Sequence, residues 1–300
     1  MRIAFSIDGS EGARWAQDMV LALPLPQPLV VTVITVLDIP QPRFTSLTPM
    51  ARRAYDEALA TMRREANEVA QKLLGAVREA LERHGASVTT RVNVGPVAAA
   101  IIEAAEVWGA DLVVVGARGL GPVKEFLLGS VSQKVARYAP CSVLIVKRPT
   151  GEVRRVLLAV DGSIYAERGM KFLADLSLPP DGAVHLCAVA ESPAFVPPNA
   201  GWSREARAAA LGTIAEVERA AAERVLVEAR TLLATKGCTV TTSLRAGHAA
   251  GQLLEAIREF RPDLVVIGAK GRTAAKRFVL GSVAQKIIKY APCSVLVVRP

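Results

Sequence analysis

The stretch GARGLGPVKEFLLGSVSQKV, Gly116 to Val135, is written a second time as GAKGRTAAKRFVLGSVAQKI, Gly268 to Ile287. Each copy follows a short apolar run, DLVVV from Asp111 and DLVVI from Asp263, of the β-branched kind expected of a strand buried on both faces. Gly116 and Gly268 therefore mark the places where a strand leaves its sheet. In an open parallel sheet, ligands sit beyond the carboxyl ends of the strands, where the strand order reverses. Gly116 and Gly119 free that turn of side chains, so that backbone N–H groups can approach a ligand and positive φ is accessible. Nine residues after Gly119 come Gly129 and Ser130, and SVSQKVARY then has the character of a helix start. The unpaired N–H groups of a helix N-terminus, with a serine hydroxyl beside them, make an anion site suited to phosphate.

Outward from this motif the whole chain proves to be duplicated. IAFSIDGS near Ile3 recurs as LLAVDGS near Leu157, and YAPCSVLIV at Tyr138 recurs as YAPCSVLVV at Tyr290. A repeat of this length is a complete domain rather than a solenoid unit, so domains are expected over residues 1–150 and 151–300. In the first half strands are predicted near Ile3 to Ile7, Leu29 to Val36, Ser87 to Val94, Leu112 to Val115 and Val143 to Val146, with helices between them. The pattern is α/β, a parallel sheet covered on both faces. The long helix from about Met50 to His84 carries Leu59, Met62, Ala66, Val69, Leu73, Val77 and Leu81 at helical spacing, an expected core stripe. Gly85 is placed to close it in the left-handed C′ position, as Gly237 closes its counterpart from about Arg204 to Lys236. Residues 38–49 and 191–203 are Pro-rich, unlike each other, and expected to be surface loops.

The remaining polar signal at a strand end is Asp8 in SIDGS and Asp161 in AVDGS. Such an acid can accept hydrogen bonds from a ribose or help hold hydrated magnesium beside phosphates. It can equally cap the following helix, a role Ser10 and Ser163 could also take. Lys124 and Lys276 match between the copies and are either phosphate contacts or solvated helix positions. No G-x-x-x-x-G-K-[ST] loop occurs, and the glycines do not follow the first strand as a dinucleotide fingerprint would.

The formal charge of +9 divides into 17 Lys/Arg against 14 Asp/Glu up to Thr150 and 20 against 14 beyond it. So diffuse an excess can steer a small phosphorylated ligand without marking a nucleic-acid face, and at 5% aromatics there is little from which to build base-stacking platforms. No apolar run approaches the roughly 18 residues of a membrane span, and the start MRIAFSIDGS enters a strand without an export signal, so a cytoplasmic location is expected. Cys141, Cys187, Cys238 and Cys293 form no C-x-x-C pair; Cys141 and Cys293, matched in APCSV, are expected as buried reduced thiols.

With G-x-x-G, nine residues and G-S after the fourth strand, and Asp after the first, both halves closely resemble the universal stress protein family in its ATP-binding form. The resemblance covers essentially the whole chain as a tandem pair. It implies two open parallel five-stranded sheets of order 3-2-1-4-5 with flanking helices, of the adenine nucleotide alpha hydrolase-like, Rossmann-like kind. It implies ATP, or ADP or AMP, together with Mg2+, in each half. By match, Asp8 and Asp161 face ribose, phosphate or, through water, the magnesium, and Val36 and Val189 touch adenine. Gly116, Arg118, Gly119, Gly129, Ser130, Val131 and Ser132 wrap ribose and phosphates in the first half. Gly268, Lys270, Gly271, Gly281, Ser282, Val283 and Ala284 do so in the second. Ser132 faces Ala284, one hydroxyl fewer, so the first half is expected to bind more tightly. Pairing through the last strands would make the chain a built-in pseudo-dimer, able to associate with a second copy; no nucleic acid or membrane partner is implied, and a regulatory protein partner is left unidentified. Two other readings stand beside this one. A slow ATPase would need a positioned base or charge clamp that the motif lacks, since His84, His185 and His248 lie outside it. A protein-interaction module would bind its partner regardless of nucleotide.

Overall fold

The computed structural model describes residues 1–39, 48–119, 128–191, 203–234, 237–272 and 280–300. Most of the two Pro-rich segments, and Lys124 and Lys276, lie outside the described residues. The chain divides into one unit of Met1–Leu21 and Pro26–Val146 and another of Ala22–Leu25 and Lys147–Pro300.

In the first unit the elements run β1 (Arg2–Ser6), α1 (Glu11–Ala22), β2 (Val30–Leu37), α2 (Pro49–Arg83), β3 (Ser87–Val94), α3 (Val97–Trp108), β4 (Leu112–Gly116), α4 (Ser130–Tyr138) and β5 (Ser142–Val146). The second repeats them as β6 (Arg155–Ala159), α5 (Ile164–Asp175), β7 (Ala183–Ala190), α6 (Arg204–Leu233), β8 (Thr239–Ala246), α7 (Ala249–Phe260), β9 (Leu264–Gly268), α8 (Ser282–Tyr290) and β10 (Ser294–Val298). The strands of the first unit pair in the order β3-β2-β1-β4-β5, all parallel. Those of the second pair as β8-β7-β6-β9-β10, also parallel. The expected 3-2-1-4-5 order is thus present in both.

The apolar runs that define the strands are also the core. Ile3, Ala4, Phe5, Leu112, Val113 and Val114 have no exposed surface, nor have Val156, Leu157, Leu158, Leu264 and Val266. Each fully buried large aliphatic side chain contributes about 1.5–3 kcal/mol of transfer free energy. The acids that open the DLVV runs tie neighbouring strands together. Asp111 accepts from the Arg2 backbone N–H at 2.7 Å and Asp263 from that of Arg155 at 3.0 Å. These two aspartates serve register, not chemistry.

The long helix departs from expectation in an informative way. Its buried positions are Ala70, Leu74, Val77 and Leu81, confined to its second half, whereas Met62 and Val69 are 52% and 67% exposed. Of the expected stripe only Val77 and Leu81 are buried; Ala70 and Leu74, which lie outside it, complete the buried face. Gly85 follows the cap His84 with φ 83°, as expected; Gly237 also takes positive φ, 75°, but α6 ends at Leu233 with Ala234 as its cap, so Gly237 does not hold the C′ position. Cys293 is buried, while Cys141 is only half-buried.

Lys147 lies against the end of α8, where its ammonium donates to the Ala291 carbonyl at 2.6 Å. Burial pulls the Lys147 amine down to about 8, with Cys293 opposing, and pushes the Cys293 thiol up to about 11. Once the pH passes the folded value of Lys147, the unfolded chain holds more protons than the folded one, so stability rises with pH. From about pH 9 the unfolded Cys293 thiol ionises while the folded one does not, which opposes the rise. Urea midpoints are therefore expected to climb between about pH 8 and about pH 9 and then to flatten. Lys147→Met should abolish the climb; an unchanged climb in that variant would assign it to another group.

Candidate functional site

In the first unit β1 and β4 are neighbours from which the chain departs in opposite directions across the sheet, and their carboxyl ends open into a crevice. At the end of β1 the DGS sequence makes a tight turn. Asp8 Oδ1 accepts the Ser10 N–H at 3.0 Å, Gly9 takes φ 79°, and Ser10 Oγ accepts the Ala13 N–H at 3.2 Å as the cap of α1. The serine therefore does the capping, and the exposed aspartate keeps its second oxygen turned toward the motif turn. The second unit repeats this arrangement with Asp161, Gly162 at φ 75°, and Ser163, whose Oγ accepts from Ala166.

At the end of β4 the backbone itself leaves no space for a side chain at Gly116, and the motif turn that follows lies close against its neighbours. None of Gly116, Gly119 or Gly129 adopts positive φ, so the freedom open to the first two is not used. A Cβ on Gly116 would stand 2.6 Å from the Gly12 carbonyl carbon, and one on Gly119 would stand 2.5 Å from Asp8 Oδ2. Strand β4 thus crosses the first turn of α1 backbone to backbone, and the motif turn lies directly against the Asp8 carboxylate. Gly12 is the reciprocal half of this crossing, since its Cβ would meet the Arg118 carbonyl oxygen at 2.4 Å. In the second unit Tyr165 takes the place of Gly12, and Gly268 alone makes the room: its Cβ would lie 2.7 Å from that of Tyr165. A Cβ on Gly271 would stand 2.9 Å from Asp161 Oδ2, as one on Gly119 would stand against Asp8.

The start of α4 is locked to the turn. The Gly129 N–H donates to Ala117 O at 2.8 Å, and the Ser132 hydroxyl donates to Ala117 O at 2.8 Å and Gly129 O at 2.9 Å. In α8 the Gly281 N–H makes the corresponding bond to Ala269 O at 2.8 Å. Gly129 and Gly281 accordingly contribute shape rather than a donor. The donors a ligand could use are the N–H groups of Ser130 to Ser132 and of Ser282 to Ala284, which by helix geometry have no intrahelical acceptor. Ser132 is 2% exposed with its hydroxyl already engaged. That hydroxyl stiffens the turn, so the Ser132/Ala284 difference gives no ground for tighter binding by the first half.

These pieces surround one cavity per unit. In the first, of about 810 Å3, the wall includes Asp8, Val36, Gly116, Arg118, Gly119, Gly129, Ser130, Val131 and Ser132, the positions that the family resemblance assigns to this half. In the second, of about 330 Å3, it includes Asp161, Val189, Gly268, Lys270, Gly271, Gly281, Ser282, Val283 and Ala284. Both volumes fall in the roughly 300–1,000 Å3 range of small-molecule sites. The sequence missed other wall residues. Met62, Ala66, Val69 and Leu73 of α2 line the first cavity, which explains why the upper half of the helical stripe is not core. Glu191, His248, Cys187 and Arg272 line the second. A cysteine inside a β run and a histidine at a helix N-cap gave no signal of a shared pocket.

A phosphorylated nucleoside fits this construction: an apolar wall at the end of β2 or β7, a carboxylate at the end of β1 or β6, a cradle that a Cβ would fill, and a helix N-terminus. Among the described residues no group of three or more His, Cys, Asp and Glu could hold a metal ion. Asp8 or Asp161 alone could at most complete the shell of a magnesium ion carried in by phosphates, a cation that usually keeps several waters. Among the described residues no helix is long and apolar enough to cross a membrane.

The sequence profile of the universal stress protein family matches residues 1–147 and again residues 152–299. A universal stress protein of Staphylococcus haemolyticus is 31% identical over 147 residues, 48% of this chain and 83% of its own length. One of Staphylococcus epidermidis is 31% identical over 147 residues, 48% of this chain and 82% of its own. Among solved structures, a universal stress protein from Archaeoglobus fulgidus superposes with a TM-score of 0.61 at 21% identity, covering 99% of this chain and 98% of its own. Another, from Pseudomonas aeruginosa, gives 0.61 at 19% identity over 100% of this chain and 93% of its own. At such identity the structures speak to the fold alone, the Rossmann-like α/β arrangement described above.

Proposed function

Because the chain belongs to the universal stress protein family, we propose that it is a stress-response protein whose signal is an adenine nucleotide, bound with magnesium at one site in each unit. The observation that carries this reading is the doubled cavity: twice, a β1-type aspartate, a glycine-bounded turn and a helix N-terminus converge on one space. The backbone N–H groups at the helix start and the Arg118 or Lys270 side chain would hold phosphates, since a helix N-terminus carries partial positive charge. Asp8 and Asp161 would accept from ribose hydroxyls, and Val36 and Val189 would pack on the base. Bound magnesium would supply neutralisation of phosphate charge.

Calorimetry on purified chain stripped of small molecules should show close to two equivalents of Mg-ATP bound. No binding would overturn the reading. One observation favours a second reading, slow hydrolysis: His248 belongs to the wall of the second cavity, where an imidazole could meet a water. It has no counterpart in the first, where Pro96 precedes α3. Turnover is expected below about 1 s⁻¹, the low end of ordinary enzyme rates; faster release of phosphate, lost in His248→Ala, would establish the enzyme.

A further inference from the structure

The two cavities differ in one contact that the glycine motif does not encode. Arg272, the residue after Gly271, extends its guanidinium to Glu218 on α6, with Nη2 and Oε2 2.6 Å apart. Glu218 also holds the Arg272 guanidinium pKa above its ordinary value, with Asp161 and Glu191 adding to the effect. Arg272 thus lines the cavity together with Asp161 and Glu191 while its guanidinium is paired with Glu218 outside that lining. The first unit cannot make this contact. The buried positions Leu74, Val77 and Leu81 of α2 match Leu226, Ala229 and Leu233 of α6. In that register Glu218 stands where the first half has Ala66, and Arg272 stands where it has Leu120.

We infer that Glu218 is a built-in competitor for the phosphates of the second site's ligand: it holds Arg272, and a polyphosphate must take the guanidinium from it. The inference rests on the nucleotide reading of this cavity and adds regulation to it. The pair ties the turn after β9, which lines the cavity, to α6, so breaking it frees both the cation and the turn. Arg272 is suited to the exchange because a guanidinium presents the same fork of donors to a carboxylate and to a phosphate. With side chains 49% and 32% exposed, the pair is solvated enough to break, and the effect of removing it is correspondingly modest.

The test uses the full chain and resolves the second equivalent in two-site isotherms with Mg-ATP and with adenosine. Glu218→Gln should tighten Mg-ATP at the second site about three- to fivefold, the scale of a partly exposed ion pair, and leave adenosine unchanged. Arg272→Ala should weaken Mg-ATP about tenfold or more, as loss of a charge-assisted bond does, again sparing adenosine. Adding Glu218→Gln to Arg272→Ala should then bring no gain, because the two act through one contact. Glu216→Gln removes the same charge from the exposed surface of α6 and should change nothing. Equal Mg-ATP affinity in wild type and Glu218→Gln, or an equal gain in Glu216→Gln, overturns the competitor while leaving nucleotide binding intact. Absence of a second equivalent in every variant overturns both.

Discussion

Gly129→Glu should remove one of the two equivalents of Mg-ATP, and Gly281→Glu the other. The backbone has room for the first atom of the new side chain. A Cβ on Gly129 would meet Ala117 O at 3.1 Å and Ser132 Oγ at 3.5 Å; on Gly281 it would meet Ala269 O at 3.3 Å. These are displacements of tenths of an ångström, and a carboxylate at a helix N-terminus interacts favourably with the helix dipole. The fold is expected to survive. What does not survive is the anion site, because the new carboxylate occupies the helix start and repels phosphate. Two like charges about 4 Å apart near a protein surface repel by ~4 kcal/mol before salt screening, so at least a hundredfold loss is expected at the altered site. The untouched unit supplies an internal reference. Retention of both equivalents in both variants would place the ligand elsewhere.

Gly12→Ala is the second large effect, and it acts on stability. The new methyl would have to stand 2.4 Å from the Arg118 carbonyl oxygen, with the backbone of Gly116 pressed against the same turn of α1. Neither neighbour is a flexible side chain that could move aside. Overpacking of this kind costs about 1–3 kcal/mol, read as a lowered urea midpoint for the first unit, and the Arg118–Gly119 turn would be displaced with loss of the first site. Gly75→Ala is the control with the opposite sign. Gly75 lies inside α2 with nothing near its missing Cβ, so alanine there should stabilise by about 0.5–1 kcal/mol. If Gly12→Ala keeps the wild-type midpoint, the backbone crossing of α1 and β4 is not as close as described.

The second prediction depends on a residue that the repeat concealed. Comparing the halves draws attention to what is the same in both, and Gly12 is matched by Tyr165. Only the crossing of β4 over α1 shows that a glycine is needed on one side in the second unit and on both sides in the first. The same blindness applies to Glu218 and Arg272, whose positions in the other copy hold Ala66 and Leu120, so that comparing the halves does not single them out. Conversely, the glycine of DGS is repeated, and its left-handed conformation at Gly9 and Gly162 was within reach of the sequence.

By itself the sequence determined the parallel α/β architecture, the duplication, and the strand ends from which the site would be built. It could do so because burial on both faces imposes continuous β-branched runs, and because a turn that admits no side chain imposes glycine at fixed spacing. Those constraints are local, and local constraints leave their mark on neighbouring residues. Only the tertiary structure decided that the glycines answer to space rather than to positive φ, that Ser132 faces inward, that half of the α2 stripe lines a cavity, and that Glu218 holds Arg272. Each of these depends on which distant backbone or side chain lies within a few ångströms, a property of the packed chain that no spacing along it records.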